Sequence, residues 1–213
     1  SPPLFLLYVN DAEDHLPDGA KLAVYADDTT LYKCITTRLR LPEETAILQQ
    51  AVDSLAAWGS RWRIKFEPTK SQALTISHHR SPTPPNAIRF QGAVVPEVEE
   101  LKLLGVTFDR QLAFRSHIRQ LAVRGAQRLG FLRKASAVLD PKHRAIVYRG
   151  FVRPVLEYGM LVWMSAAPTT LARLTAIQHR ALHIIGDGSY LPSLDIRRTV
   201  AGLCFLYKLH FVE

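Results

Sequence analysis

Hydrophobic and polar positions along the chain repeat with two different periods, and the change between them predicts the architecture. Residues 3–16 read as the end of a helix, closed by the turn signal Leu16-Pro17-Asp18-Gly19. Residues 21–35, KLAVYADDTTLYKCI, hold two β-rich runs meeting at Asp27-Asp28, a hairpin pattern. Over residues 42–60, Ala46, Ile47, Ala51, Leu55 and Trp58 recur at helical spacing. Pro42 followed by Glu43-Glu44 suits a helix start, because acids favour the positive end of the helix dipole. RIKF, ALTIS, AIRF and LKLLGVTF then read as strands, with SPTPP at 81–85 as a stiff loop. After Asp109 the period changes: Phe114, Ile118, Leu121, Gly125, Leu129 and Leu132 form a helical stripe, and helical patterns continue onward. The expectation is an α+β first half, 1–109, followed by an all-α second half, 110–213.

Composition narrows the class. A chain of 213 residues that is 47% hydrophobic and 22% charged can bury a real core. No apolar run reaches the roughly 18 to 20 residues that span a bilayer, and the first residues lack the basic start of a signal peptide. Nothing in the pattern argues for a membrane. Cys34 and Cys204 are too few and too far apart for a disulfide framework or a zinc site, so structural thiols in a reducing compartment are expected. The net charge of +8 is unevenly placed: residues 110–153 hold eleven Lys or Arg against one acid, Asp140. Such a segment suits a surface that tracks phosphates, and equally a solvated helical face.

Candidate chemistry centres on the hairpin. An Asp-rich turn tip is common because Asp tolerates turn geometry. Here the pair has company: Tyr25, an apolar strand on each side and the basic segment downstream. Carboxylates at a strand turn in a buried cleft can bind Mg²⁺, which takes hard oxygen ligands and completes its shell with substrate phosphates. Two such ions stabilise the attacking and leaving oxygens of an in-line displacement, which is nucleotidyl transfer. The histidines read otherwise. His78-His79 are adjacent and would point apart on a strand, and His117, His143, His179, His183 and His210 fall in helical stretches where packing accounts for them. Trp58, Trp62 and Trp163 read as core or interface anchors.

YADD at residues 25–28 resembles the YxDD signature of reverse transcriptases, and SPPLFLLYVNDAEDHLP before it resembles the preceding segment of the non-LTR (LINE-like) retrotransposon enzymes of the jockey and CR1 kind. Three further segments resemble that family in the same order: WRIKFEPTKSQALTIS at 62–77, LKLLGVTFDRQLAFRSHI at 101–118 and YRGFVRPVLEYGMLVW at 148–163. The resemblance covers nearly the whole chain. It implies the C-terminal part of a reverse-transcriptase palm, an antiparallel sheet with helices over 1–109, and a helical thumb or connection region over 110–213.

The resemblance also implies roles. Asp27 and Asp28 would bind Mg²⁺ or Mn²⁺ as catalytic carboxylates, with Tyr25 and Ala26 near the primer terminus and the incoming dNTP. Lys70 would place a cation by the leaving pyrophosphate. Leu104 and Gly105 would form the primer-grip turn, where glycine allows close backbone approach. Arg115, Arg119, Arg124, Arg128, Arg133 and Lys134 would hold the backbones of an RNA template and a DNA primer without reading sequence. Glu67 and Leu103 depart from the Asn and Tyr usual in the family, and Asp11 matches a family position but reads as a helix end. The first catalytic Asp and the fingers lie upstream in the family, in a segment of the same polyprotein. The chain alone is therefore expected to be inactive and to expose strand edges. A truncated relic, or a nucleic-acid-binding module without catalysis, is the other reading.

Overall fold

The computed structural model describes residues 2–35, 40–77, 87–186 and 191–211; SPTPP and His78-His79 lie outside the described residues. The chain forms two compact units, Ser1–Glu99 and Glu100–Glu213. The compact units divide at Glu99–Glu100, and the change of period after Asp109 comes where the helices start. The second unit includes the hairpin that packs on the first of those helices.

In the first unit, α1 (Pro2–Val9) and a 3₁₀ turn (Glu13–His15) lead to an antiparallel hairpin, β1 (Ala20–Tyr25) and β2 (Asp28–Lys33). Helix α2 (Leu41–Arg61) follows, with Pro at its start and Glu43 and Glu44 in the first turn. Its period buries Ala51, Leu55 and Trp58. The buried centre is small: Ala12, Leu55 and Trp58, with Val9, Leu22, Ile64 and Phe66 half-buried around them. The Trp58 indole N–H donates to Asp11 Oδ1 at 3.0 Å, so the residue read as a helix end also ties that end to α2. Lys33 Nζ lies 2.8 Å from Glu44 Oε2, with 9% and 13% of the two side chains exposed, and joins β2 to α2.

Two expected strands are not strands. RIKF runs on from α2 through Arg63, whose φ is +58°, and Ile64 N–H donates back to Gly59 O at 2.8 Å, so the segment closes the helix instead of joining a ladder. ALTIS makes a single parallel bridge, Ala73 with Glu97. AIRF contributes only β3 (Arg89–Phe90), paired with β4 (Ala93–Val94) and held to α2 by both ends of the Gln49 amide, each at 2.8 Å.

The second unit opens with β5 (Glu100–Leu103) and β6 (Val106–Asp109), a hairpin where the hydrophobic pattern alone reads one strand. Both turn residues, Leu104 and Gly105, have positive φ, +47° and +81°, as a two-residue type I′ connection requires. Helix α3 (Arg115–Ala135) then buries the expected stripe. Helix α4 (Pro141–Val147), a π-helical turn (Tyr148–Val152) and α5 (Arg153–Glu157) form one continuous run. Pro154 lacks an N–H for the Gly150 carbonyl four residues back, and the wide turn ahead of it absorbs that mismatch. Next come α6 (Met160–Trp163), α7 (Pro168–Ile185) and α8 (Leu194–Phe211). The core here is large, with Ile118, Leu132, Tyr148, Leu156, Trp163 and Leu174 all fully buried. A Cβ on Gly125 of α3 would sit 2.5 Å from Leu156 Cδ2, so α3 and α5 meet closely at a glycine and a larger residue there would have to displace the buried Leu156 side chain.

Candidate active site

The register of β1 and β2 runs from Ala20 opposite Lys33 to Tyr25 opposite Asp28, which leaves Ala26 and Asp27 as a two-residue loop. Ala26 has φ +52°, a left-handed conformation that costs a residue with a Cβ about 1 kcal/mol. Leu22, Val24 and Leu31 are half-buried, whereas Tyr25, Ala26, Asp27 and Asp28 are exposed. The carboxylates thus project from a presented tip instead of lining a buried cleft. Asp27 and Asp28 offer the hard oxygen donors that Mg²⁺ or Mn²⁺ takes, and such ions fill their remaining positions with water and phosphate oxygens. Among the described residues no group of three or more His, Cys, Asp or Glu converges to hold a metal. The donor chemistry of the two adjacent carboxylates fits a divalent cation.

Lys70 ends a second 3₁₀ turn, Pro68–Lys70, and is exposed. Glu67, one of the departures noted above, organises that turn. Thr69 Oγ1 donates to its carboxylate at 2.6 Å, and this hydrogen bond, aided by the Lys70 charge, holds the Glu67 carboxyl below its ordinary pKa.

In the second unit the structure joins two segments far apart in sequence. Tyr158 Oη donates to Leu104 O at 2.8 Å across the turn of the β5–β6 hairpin. A Cβ on Gly105 would come within 3.0 Å of the Tyr158 ring, and one on Gly159, itself at φ +64°, within 2.9 Å of Val106. Trp163 Nε1 donates to Tyr158 O at 2.9 Å. His117 packs its ring beside Trp163, with 6.2 Å between centroids, and its Nδ1 accepts the Thr107 N–H at 3.3 Å. Burial, and then the charge of Arg124, hold the His117 pKa below its ordinary value. His117 and Trp163 therefore serve packing, as their spacing suggests.

Asp109 has a role that the pattern does not reveal. Its carboxylate accepts the N–H groups of Gln111 and Ala113 at 3.0 Å and of Phe114 at 2.5 Å, and so ties the loop that launches α3. An Asp at the end of a strand, a few residues before a helix start, is the available signal for such a cap.

The six cations of α3 separate into groups. At 3.6 residues per turn, Arg115, Arg119 and Arg133 flank one side of the buried face, Arg124 and Arg128 flank the other, and Lys134 lies opposite the core. All are exposed except Arg128, which is half-buried. Arg128 donates to Phe151 O at 2.7 Å and stacks 4.7 Å above the Phe151 ring. Beside Arg133, a surface groove of about 330 Å³ between α3 and α7 is also lined by Arg180 and His183. Arg144 is committed internally, to the carbonyls of Ser136 and Leu139 at 2.7 Å and of Ile184 at 3.2 Å. Cys34 and Cys204 are both free and exposed. No helix among the described residues is long and apolar enough to cross a membrane.

Comparison with known proteins agrees with these motifs. Residues 1–108 match the family described as reverse transcriptase (RNA-dependent DNA polymerase). A probable RNA-directed DNA polymerase from transposon BS of Drosophila melanogaster is 31% identical over 179 residues, covering 82% of this chain and 19% of that protein. The RNA-directed DNA polymerase from mobile element jockey of the same species is 27% identical over 207 residues, 92% of this chain and 22% of that protein. A retrovirus-related Pol polyprotein from type-1 retrotransposable element R1 of Bradysia coprophila is 26% identical over 187 residues, 86% and 18% of the two chains. The chain spans about a fifth of the length of the curated relatives it matches. No solved structure matches.

Proposed function

The chain belongs to the reverse transcriptase (RNA-dependent DNA polymerase) family of non-LTR retrotransposons, and from that premise we propose that it forms the later palm and the thumb-like helices of an RNA-directed DNA polymerase. The palm part is 1–109 and the helical part 110–213. The observation that carries this reading is the YADD sequence on a two-residue hairpin tip, with both carboxylates presented to solvent.

In this reading Asp27 and Asp28 hold the divalent cation, and the fixed register of β1 and β2 sets where they stand. Asp27 and Asp28 would hold Mg²⁺ or Mn²⁺ there, and the ion would supply positive charge toward the attacking and leaving oxygens of nucleotidyl transfer. Tyr25 and Ala26, on the same tip, lie against the primer terminus and the incoming dNTP. Lys70 sets a positive charge toward the departing pyrophosphate. The Leu104-Gly105 turn, pinned by Tyr158, offers the primer its backbone. The cations of α3 hold template and primer phosphates, a contact that neutralises charge and releases counterions without reading bases. The remaining carboxylate and the fingers come from elsewhere in a longer polypeptide, so catalysis belongs to that polypeptide.

The test is primer extension on an RNA template with Mg²⁺, using this chain and a longer polypeptide that contains it. Extension by the longer form alone, abolished by Asp27→Ala, is the expected result. Extension that survives Asp27→Ala would overturn the assignment of the tip.

A further inference from the structure

Phe131 of α3 and Phe151 of the π-helical turn are 56% and 39% exposed and meet edge to face, with 5.3 Å between ring centroids. Two large rings held side by side in solvent offer aromatic surface to a ligand. The pair sits among cations. Arg128 and Lys134 lie one turn from Phe131 on α3 and Arg124 two turns away, while Arg149 is exposed two residues before Phe151. The wide turn set by Pro154 carries Phe151, and the turn packs against α3. Arg128 fixes the ring further, donating to Phe151 O and covering one of its faces.

We infer that Phe131 and Phe151 form a stacking platform for an unpaired nucleobase, with the surrounding cations taking the flanking phosphates. The partner must offer a flat apolar face and a negative charge close together, which describes a nucleotide of a single strand. Two rings fall far short of the roughly 800 Å² that each partner contributes to a standard protein interface, but they match one or two bases in size. The platform shares Arg124, Arg128 and Lys134 with the phosphate contacts assigned above and adds base stacking to them, which distinguishes a strand with free bases from a duplex. It rests on the reading of this chain as one that handles nucleic acid.

The experiment is fluorescence anisotropy of the 213-residue chain with three labelled probes of equal length: a homopyrimidine single strand, a duplex, and an abasic single strand. Metal and dNTP are omitted, so Asp27 has no part in the readout. Phe131→Ala weakens the homopyrimidine strand roughly 5- to 100-fold and leaves duplex and abasic binding unchanged. Phe131→Tyr retains affinity, whereas Phe131→Leu, which keeps an apolar side chain without a π face, does not. Melting curves of all three variants should match the parent, since the ring is exposed. Retained affinity in Phe131→Leu, or an equal loss on the abasic strand, overturns the platform and leaves the rings to an acidic, apolar protein surface. Binding of all three probes that ignores Phe131 overturns the platform alone, and failure to bind any of them also removes the nucleic-acid reading on which it rests.

Discussion

The two units use their signature residues in opposite ways. In the first, YADD stands exposed on a hairpin whose neighbouring buried centre, among the described residues, is Ala12, Leu55 and Trp58. In the second, Gly105, Tyr158, Gly159, Trp163 and His117 are set against one another, around a core that draws on α3, α5 and α7. A motif can recur because its atoms must meet a substrate or because they must meet each other. Burial separates the cases: an exposed carboxylate pair contributes little to stability, while a fully buried Trp or a glycine under an aromatic ring is a packing requirement.

Substitutions can break that comparison, and the largest effect should be catalytic. Asp27→Ala in a longer, active polypeptide should cut primer extension on the order of a thousandfold. The same change should move the stability of this chain by no more than about 0.5 kcal/mol. A large loss of stability would show that the tip is structural after all. Trp163→Ala should do the reverse, costing about 3–5 kcal/mol in denaturant unfolding through the cavity it leaves; a near-neutral result would deny the second unit its packed core.

Smaller changes sharpen the contrast. Gly105→Ala strains a positive φ and pushes a methyl against Tyr158, for about 1–2 kcal/mol, whereas Tyr158→Phe loses only the hydrogen bond to Leu104, about 1 kcal/mol. If the two cost the same, the close approach at Gly105 is not what matters. The mildest probe is pH. Because His117 has its pKa lowered in the folded chain, the unfolded chain binds the proton first on acidification. Stability from this group is therefore full above about pH 6.5 and is lost as pH falls from there through the folded pKa. Urea midpoints between pH 7 and pH 5 should fall in the parent and fall less in His117→Gln.

Local order explains what the sequence discloses. Helices α2 and α3 are legible because their apolar residues repeat every turn, and the β1–β2 hairpin because alternation breaks at Asp27-Asp28. The β5–β6 hairpin is hidden from the pattern, since a two-residue turn inside LKLLGVTF leaves the apolar run unbroken; only the family resemblance marks Leu104-Gly105 as a turn. RIKF and ALTIS have strand-like residues but no partner strand among the described residues, and a ladder needs two sides. The outer edges of β1 and β2 are likewise unpaired there, in keeping with the expected open edges. The tie from Tyr158 to Leu104, and the stack of Arg128 on Phe151, join residues distant in the chain, which no local period can announce. The catalytic candidates were legible by motif, but their exposure and the strain at Ala26 were not.

The near-buried pair of Lys33 and Glu44 makes the β1–β2 hairpin a cantilever, fixed at its root and free at its tip. From Lys33 to Asp28 the arm is about 16 Å long at 3.3 Å per residue. Play of a few degrees at the root would swing the carboxylates by about an ångström, which in the polymerase proposed above would cost about a hundredfold. The placement of the tip thus depends on its far end, where Lys33 is held by Glu44.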